Sequence, residues 1–216
     1  MTARTQEPVV LHRYSIKPRH LEQGLELWRR EVEIAARHGF TTLRGFVETD
    51  AEPKLTWLYS PPSGGDLAQQ LAELADDPEQ QALAEARQQH VFRNLTIRPV
   101  EPELLTRATP ESVAGQVVAE KIAIMRRYDI TGDFDDFLAI WREIVPVRER
   151  YGFGCLFAVS DREQGRFTWA FDFDGDFADF PAAQRDYYHD PQRVRLREVF
   201  HFMADYSIHP ARQLLL

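Results

Sequence analysis

The 216-residue sequence predicts an α+β fold of two ferredoxin-like βαββαβ repeats, packed sheet to sheet as an intrachain pseudo-dimeric α+β barrel. Three observations predict it. The chain repeats itself once, the hydrophobic period changes in the same order in both copies, and each copy has too few helices to cover both faces of its sheet.

The repeat is visible residue by residue. Arg13-Tyr14-Ser15-Ile16 falls on Arg127-Tyr128-Asp129-Ile130, Trp28 on Trp141, His38-Gly39-Phe40 on Tyr151-Gly152-Phe153, Thr56-Trp57 on Thr168-Trp169, and Asp77-Pro78 on Asp190-Pro191. All four tryptophans of the chain fall in two matched pairs.

Each copy opens on a β-branched and aromatic run, 9–16 and 122–130, which reads as a strand. Leu21, Leu25, Trp28 and Val32, matched by Phe134, Leu138, Trp141 and Val145, then recur at helical spacing. Gly39 and Gly152 stand where these helices should stop. Two short strands follow in each copy, 42–48 with 54–59 and 154–160 with 166–173, joined by turn-forming residues. Second helical regions over 66–92 and 177–203 are each interrupted by Asp-Pro, where proline breaks or restarts a helix. NLTIRP and DYSIHP close the copies as strands. The expected boundaries are 8–99 for the first repeat, 100–118 for a Pro- and Thr-containing linker, and 119–216 for the second repeat. Leu55, Trp57 and Tyr59, like Phe167, Trp169 and Phe171, give each sheet an apolar face, and two such faces can cover one another.

Composition bounds the function. Hydrophobic residues make up 44% of the chain and charged ones 28%, enough for a substantial core. A formal charge of −8 disfavours nucleic acid and anionic membranes as partners. The single cysteine, Cys155, has no second thiol for a disulfide or a zinc cluster. No stretch approaches the roughly 20 apolar residues of a membrane helix, and the N-terminus lacks a signal-peptide core, so a cytoplasmic protein is expected.

The opening Arg13-Tyr14-Ser15-Ile16-Lys17-Pro18, the tryptophan of the first helix and the Asp-Pro interruption of the second helical region together resemble a tandem NIPSNAP-type member of the dimeric α+β barrel superfamily. The second copy departs from that pattern by carrying Gly132 in place of the proline. The resemblance implies the fold, in a superfamily that hosts cofactor-independent oxygenases, polyketide cyclases, lactone isomerases and haem enzymes. It names no reaction.

Divergence between the copies points to the second as the specialised one. It holds 11 Phe, 5 Tyr and 2 Trp from residue 118 onward, against 3, 2 and 2 before. A pocket for a planar ligand is expected between the sheet and helices of that copy, with a thicker aromatic core as the plain alternative. Tyr187-Tyr188-His189-Asp190 stands where the first copy has Leu74-Ala75-Asp76-Asp77, which nominates His189 as a general base and the two tyrosines as substrate contacts. His201 is a second candidate base. Trp169, Tyr128 and Phe171 would position a ring. Arg127 would stabilise an enolate or phenolate oxygen, unless it and Arg13 are structural and pair with Asp129 or its equivalent across the two copies. His90 and His201 also offer a haem-ligand alternative.

The function expected from these residues is a cofactor-independent enzyme acting on a hydrophobic, oxygen-bearing small molecule, such as an aromatic polyketide-like intermediate. Proton abstraction would lead to oxygenation, cyclisation or isomerisation. A noncatalytic small-molecule-binding or scaffold protein is the alternative from another class. No metal is called for, and a homodimer is left open.

Overall fold

The computed structural model describes residues 8–48, 50–105, 122–174 and 176–214. Its strands hydrogen-bond in the order β1-β3-β2-β8-β5-β7-β6-β4, closing a barrel, with β1 at Val9–Ile16, β2 at Thr41–Glu48, β3 at Lys54–Ser60, β4 at Val91–Leu105, β5 at Ile122–Ile130, β6 at Cys155–Asp161, β7 at Arg166–Phe171 and β8 at Met203–Leu214. The chain divides into two compact units, Met1–Glu101 with Arg212–Leu216, and Pro102–Ala211.

In the first unit, β1 lies antiparallel between β3 and β4, and β3 pairs with β2, the strand order of a ferredoxin-like sheet. Helix α1 (Leu21–Arg37) buries Leu25, Trp28 and Ala35 against Tyr14, Phe40, Leu55 and Trp57. Leu21 and Val32 of the expected stripe are only partly buried beside this core. The second helical region is three pieces, α2 (Leu67–Ala75), α3 (Pro78–Ala82) and α4 (Ala84–His90).

The second unit repeats the order. Helix α5 (Phe134–Glu149) packs Phe137, Trp141 and Ile144 on Tyr128, Phe167 and Trp169, and is followed by β6, β7, α6 (Phe180–His189) and α7 (Pro191–Arg195). Gly39 and Gly152 follow α1 and α5 with φ of +81° and +80°, the left-handed conformation that closes a helix without steric cost only for glycine.

Asp-Pro proves to be a restart in both units. Asp77 accepts the backbone N–H groups of Glu79 and Gln80, Asp190 those of Gln192 and Arg193, and each proline takes the first helical turn, where its missing N–H is harmless. The same carboxylates reach back to the end of the preceding long helix: Asp77 is 2.7 Å from His38 Nε2, and Tyr151 donates its hydroxyl to Asp190 at 3.0 Å. The motif therefore clamps the two helical layers of each unit together.

One boundary moves. Residues 100–105, read as the start of a linker, continue β4, and the rest of that linker lies outside the described residues. Pro102 belonged to the composition read as a linker, but proline is tolerated in a strand where its position is not asked for an N–H. Leu104 packs in the core of the second unit and Leu214 in that of the first. Among the described residues no helix is long and apolar enough to cross a membrane.

Candidate functional site

A small cavity of about 30 Å³ lies in the second unit between the sheet and the helices. Strand alternation sends Arg126 and Tyr128 of β5 to the same face, beside Trp169 of β7, which sits opposite Arg126 in the register. Helical periodicity puts Trp141, Ile144 and Arg148 on one stripe of α5. Tyr187 and Tyr188 from α6 and Arg193 from α7 complete the polar lining.

The charge of this lining is one-sided. Arg126, Arg148 and Arg193 are 7%, 2% and 5% exposed, and among the described residues no carboxylate lies within 4.0 Å of any of them. Arg193 Nε donates to the Tyr187 hydroxyl at 2.8 Å, and Tyr128 and Tyr188 line the cavity with Arg126. Arg148 is held by ring faces, 4.1 Å from the Phe171 centroid and 4.4 Å from that of Tyr187. Stacking offsets part of the cost of burying a guanidinium but satisfies no N–H. Arg126 Nε, Arg148 Nε and Nη1, and the indole N–H groups of Trp141 and Trp169 have no acceptor. Buried donors are ordinarily paired, and these five all belong to residues that line the cavity.

These charges act on one another. Burial first, and then the neighbouring Arg126, hold the Arg148 pKa below its ordinary value. Burial alone would raise that of Tyr188, but Arg126, Arg148 and Arg193 together bring it down, because they favour the phenolate. Tyr188 remains 36% exposed, so this phenol is open to solvent while it touches the cationic cluster.

The structure brings together four of the residues singled out from sequence: Tyr128, Trp169, Tyr187 and Tyr188 line the cavity. Phe171 stands behind it as the platform under Arg148. Arg127 points to the other face of β5 from Arg126 and Tyr128. His189 is exposed, with Nδ1 2.8 Å from the Arg185 carbonyl oxygen, and His201 is exposed too; neither lines the cavity. His90 Nδ1 lies 2.9 Å from His20 Nδ1. The expected ion pairing of Arg13 and Arg127 through Asp129 takes another form: Arg13 binds Glu48 at 3.0 Å and Asp129 binds Arg166 at 3.1 Å, both within one unit. Sequence reasoning missed Arg126, Arg148 and Arg193. The signal for Arg148 was its place seven residues on from Trp141, on the same helical stripe, set against the ordinary reading of a charge near a helix end as solvated.

At the matched place the first unit is built differently. Its strand β1 carries His12 opposite Trp57, where β5 carries Arg126 opposite Trp169. Glu31 of α1, three residues after Trp28, is 2% exposed, ion-paired with Arg87, and 3.5 Å from the Tyr14 hydroxyl. Burial raises the Glu31 pKa to about 7 against the pull of Arg87, and burial with Arg87 lowers that of His12 to about 3. The Trp57 indole N–H is also satisfied, donating to Thr42 Oγ1 at 3.0 Å. This unit sets a buried carboxylate against the Arg87 cation, although the Trp28 indole N–H, like that of Trp141, has no acceptor.

No family model and no curated protein matches the chain. Solved structures do. A proposed monooxygenase from Fusobacterium nucleatum superposes with a TM-score of 0.63 at 9% identity, covering 98% of this chain and 94% of its own. An anthrone oxidase-like protein gives 0.58 at 11% identity, covering 100% and 94%. A NIPSNAP domain protein from Burkholderia xenovorans matches 44% of this chain and 93% of its own at 17% identity, with a TM-score of 0.36. The first two likenesses establish the fold, the α+β barrel built from ferredoxin-like units.

Proposed function

We propose that the second unit binds a hydrophobic, oxygen-bearing small molecule whose oxyanionic end sits among Arg126, Arg148 and Arg193. The observation that carries this reading is the convergence of three buried guanidiniums on one cavity with no carboxylate within 4.0 Å among the described residues. An unpaired buried cation is costly, and a ligand anion supplies what the chain withholds. The fixed forks of donors suit an oxygen that is charged in the bound molecule or becomes so during a reaction.

A catalytic reading of the same site is favoured by Tyr188. The three guanidiniums lower its pKa from the ordinary tyrosine value and so favour its phenolate form, beside the cations that would hold an enolate. The proton would pass from an acidic carbon of the substrate to the Tyr188 oxygen, and the charge left on the substrate oxygen would face Arg126. His189 and His201 have no part in this scheme. No histidine is among the residues that line the cavity, so its lining offers no imidazole ligand for a haem iron.

Anthrone is a suitable probe, since one structural neighbour is described as anthrone oxidase-like and the compound is a carbon acid with an aromatic body. Incubation in D2O should show protein-dependent deuterium exchange at its acidic carbon by NMR. Tyr188→Phe should reduce that exchange by about 10²- to 10⁴-fold, the range of a general base, while leaving binding in place. Exchange untouched by Tyr188→Phe would remove the tyrosine from the chemistry, and binding without exchange would leave a noncatalytic binding protein.

A further inference from the structure

The two units share the same local architecture, and one of them contains its own anion. In the first unit Glu31 stands one helical turn beyond Trp28 and meets Arg87 and the Tyr14 hydroxyl in a buried cluster. In the second, the residue one turn beyond the matched Trp141 is Ile144, which lines the cavity, and the matched tyrosine is Tyr128. The carboxylate has gone and the cations have multiplied: Ala35 of α1 corresponds to Arg148, and His12 to Arg126.

We infer that the ligand's anionic group is a carboxylate, and that it takes in the second unit the place that the Glu31 side chain holds in the first. This rests on the binding reading above and gives it a substrate class, a hydrophobic monocarboxylic acid. Size supports a carboxylate over a larger oxyanion. A cavity of about 30 Å³ holds roughly two waters, the bulk of a –CO2⁻ group, and is tight for the five heavy atoms of a phosphate. The tyrosine and arginine donors supply planar, paired contacts of the kind that a carboxylate accepts. The rest of the ligand would lie at the rim, where Tyr188 and Phe200 line the cavity yet stay 36% and 49% exposed. Two aromatic side chains at the edge of a cationic hole suit an apolar body carrying one acid.

The test is calorimetric titration of the whole chain with benzoate, octanoate, benzamide and inorganic phosphate, alongside Ile144→Glu and its neutral control Ile144→Gln. Wild type should bind benzoate and octanoate about 10- to 100-fold more tightly than benzamide, the worth of charge-assisted hydrogen bonds, and more tightly than phosphate. Ile144→Glu should fill the site from within, raising the melting temperature and losing benzoate binding, with a smaller loss in Ile144→Gln. Tighter binding of phosphate, or equal binding of benzoate and benzamide, would overturn the carboxylate inference while leaving a ligand site. Failure of every probe to bind would instead remove the site itself. Should Ile144→Glu not fold, the benzoate-to-benzamide ratio of the wild type decides, and a ratio below about tenfold sinks the inference.

Discussion

Replacing Arg148 by methionine should raise the unfolding free energy by about 1–4 kcal/mol and abolish ligand binding, a gain in stability from deleting a buried residue. Arg148 is 2% exposed, and its Nε and Nη1 have no acceptor. Desolvating an unpaired guanidinium costs several kcal/mol, and its stacking on Phe171 and Tyr187 returns about 2 kcal/mol. Methionine keeps an unbranched apolar stem in the same slot and makes favourable sulfur contacts with rings. Urea unfolding in a buffer of bulky, weakly binding anions measures the difference, since a small anion in the cavity would stabilise the wild type and hide it. A loss of about 3 kcal/mol or more would mean that the guanidinium has a buried partner, and the cavity would then be structural. The expected sign is that of a binding site whose stability has been traded for function.

The fold was legible because its punctuation is doubled. Two matched tryptophan pairs, two glycines of positive φ and two Asp-Pro restarts fix the order of elements in each copy, and each has a local physical cause. The site was legible by neighbourhood and in its aromatic lining, Tyr128, Trp169, Tyr187 and Tyr188, and illegible in its cations. In β5 the cavity arginine is Arg126 and not Arg127, because a step of one along a strand changes the face. Nothing in the composition of Arg126-Arg127 separates the two. His189 drew notice for standing beside Asp190, but the Asp190 carboxylate is taken up by the N–H groups of α7 and by Tyr151, so the pair is no dyad. Arg148 near the end of a helix reads as a solvated charge, favourable to the helix dipole, until the helix is seen to bury its last turn. The aromatics of the second copy serve two ends: Phe167 packs in the core, while Phe171 and Tyr187, the latter standing where the first copy has Leu74, form the cage of Arg148.

The first unit should reveal its buried charges as two opposing pH slopes. The Glu31 carboxyl is raised from its ordinary 4.5 to about 7, so the folded chain holds that proton more tightly than the unfolded chain. Its contribution to stability is complete below about pH 4.5 and is lost as the pH rises towards 7. His12 is lowered from 6.5 to about 3, so the unfolded chain takes up the proton first, and its contribution is complete above pH 6.5 and lost as the pH falls towards 3. Between pH 4.5 and 6.5 the two slopes are of opposite sign and about 1.4 kcal/mol per pH unit each, so in the wild type they cancel. Glu31→Gln should expose the His12 slope, with stability rising as pH rises, and His12→Gln should expose the falling slope of Glu31. Denaturant unfolding at three pH values across this window reads both slopes, and a constant offset from the unpaired Arg87 leaves them unchanged. Parallel curves for the wild type and Glu31→Gln would show that Glu31 stays ionised throughout. The first unit would then hold a permanent charge pair between Glu31 and Arg87.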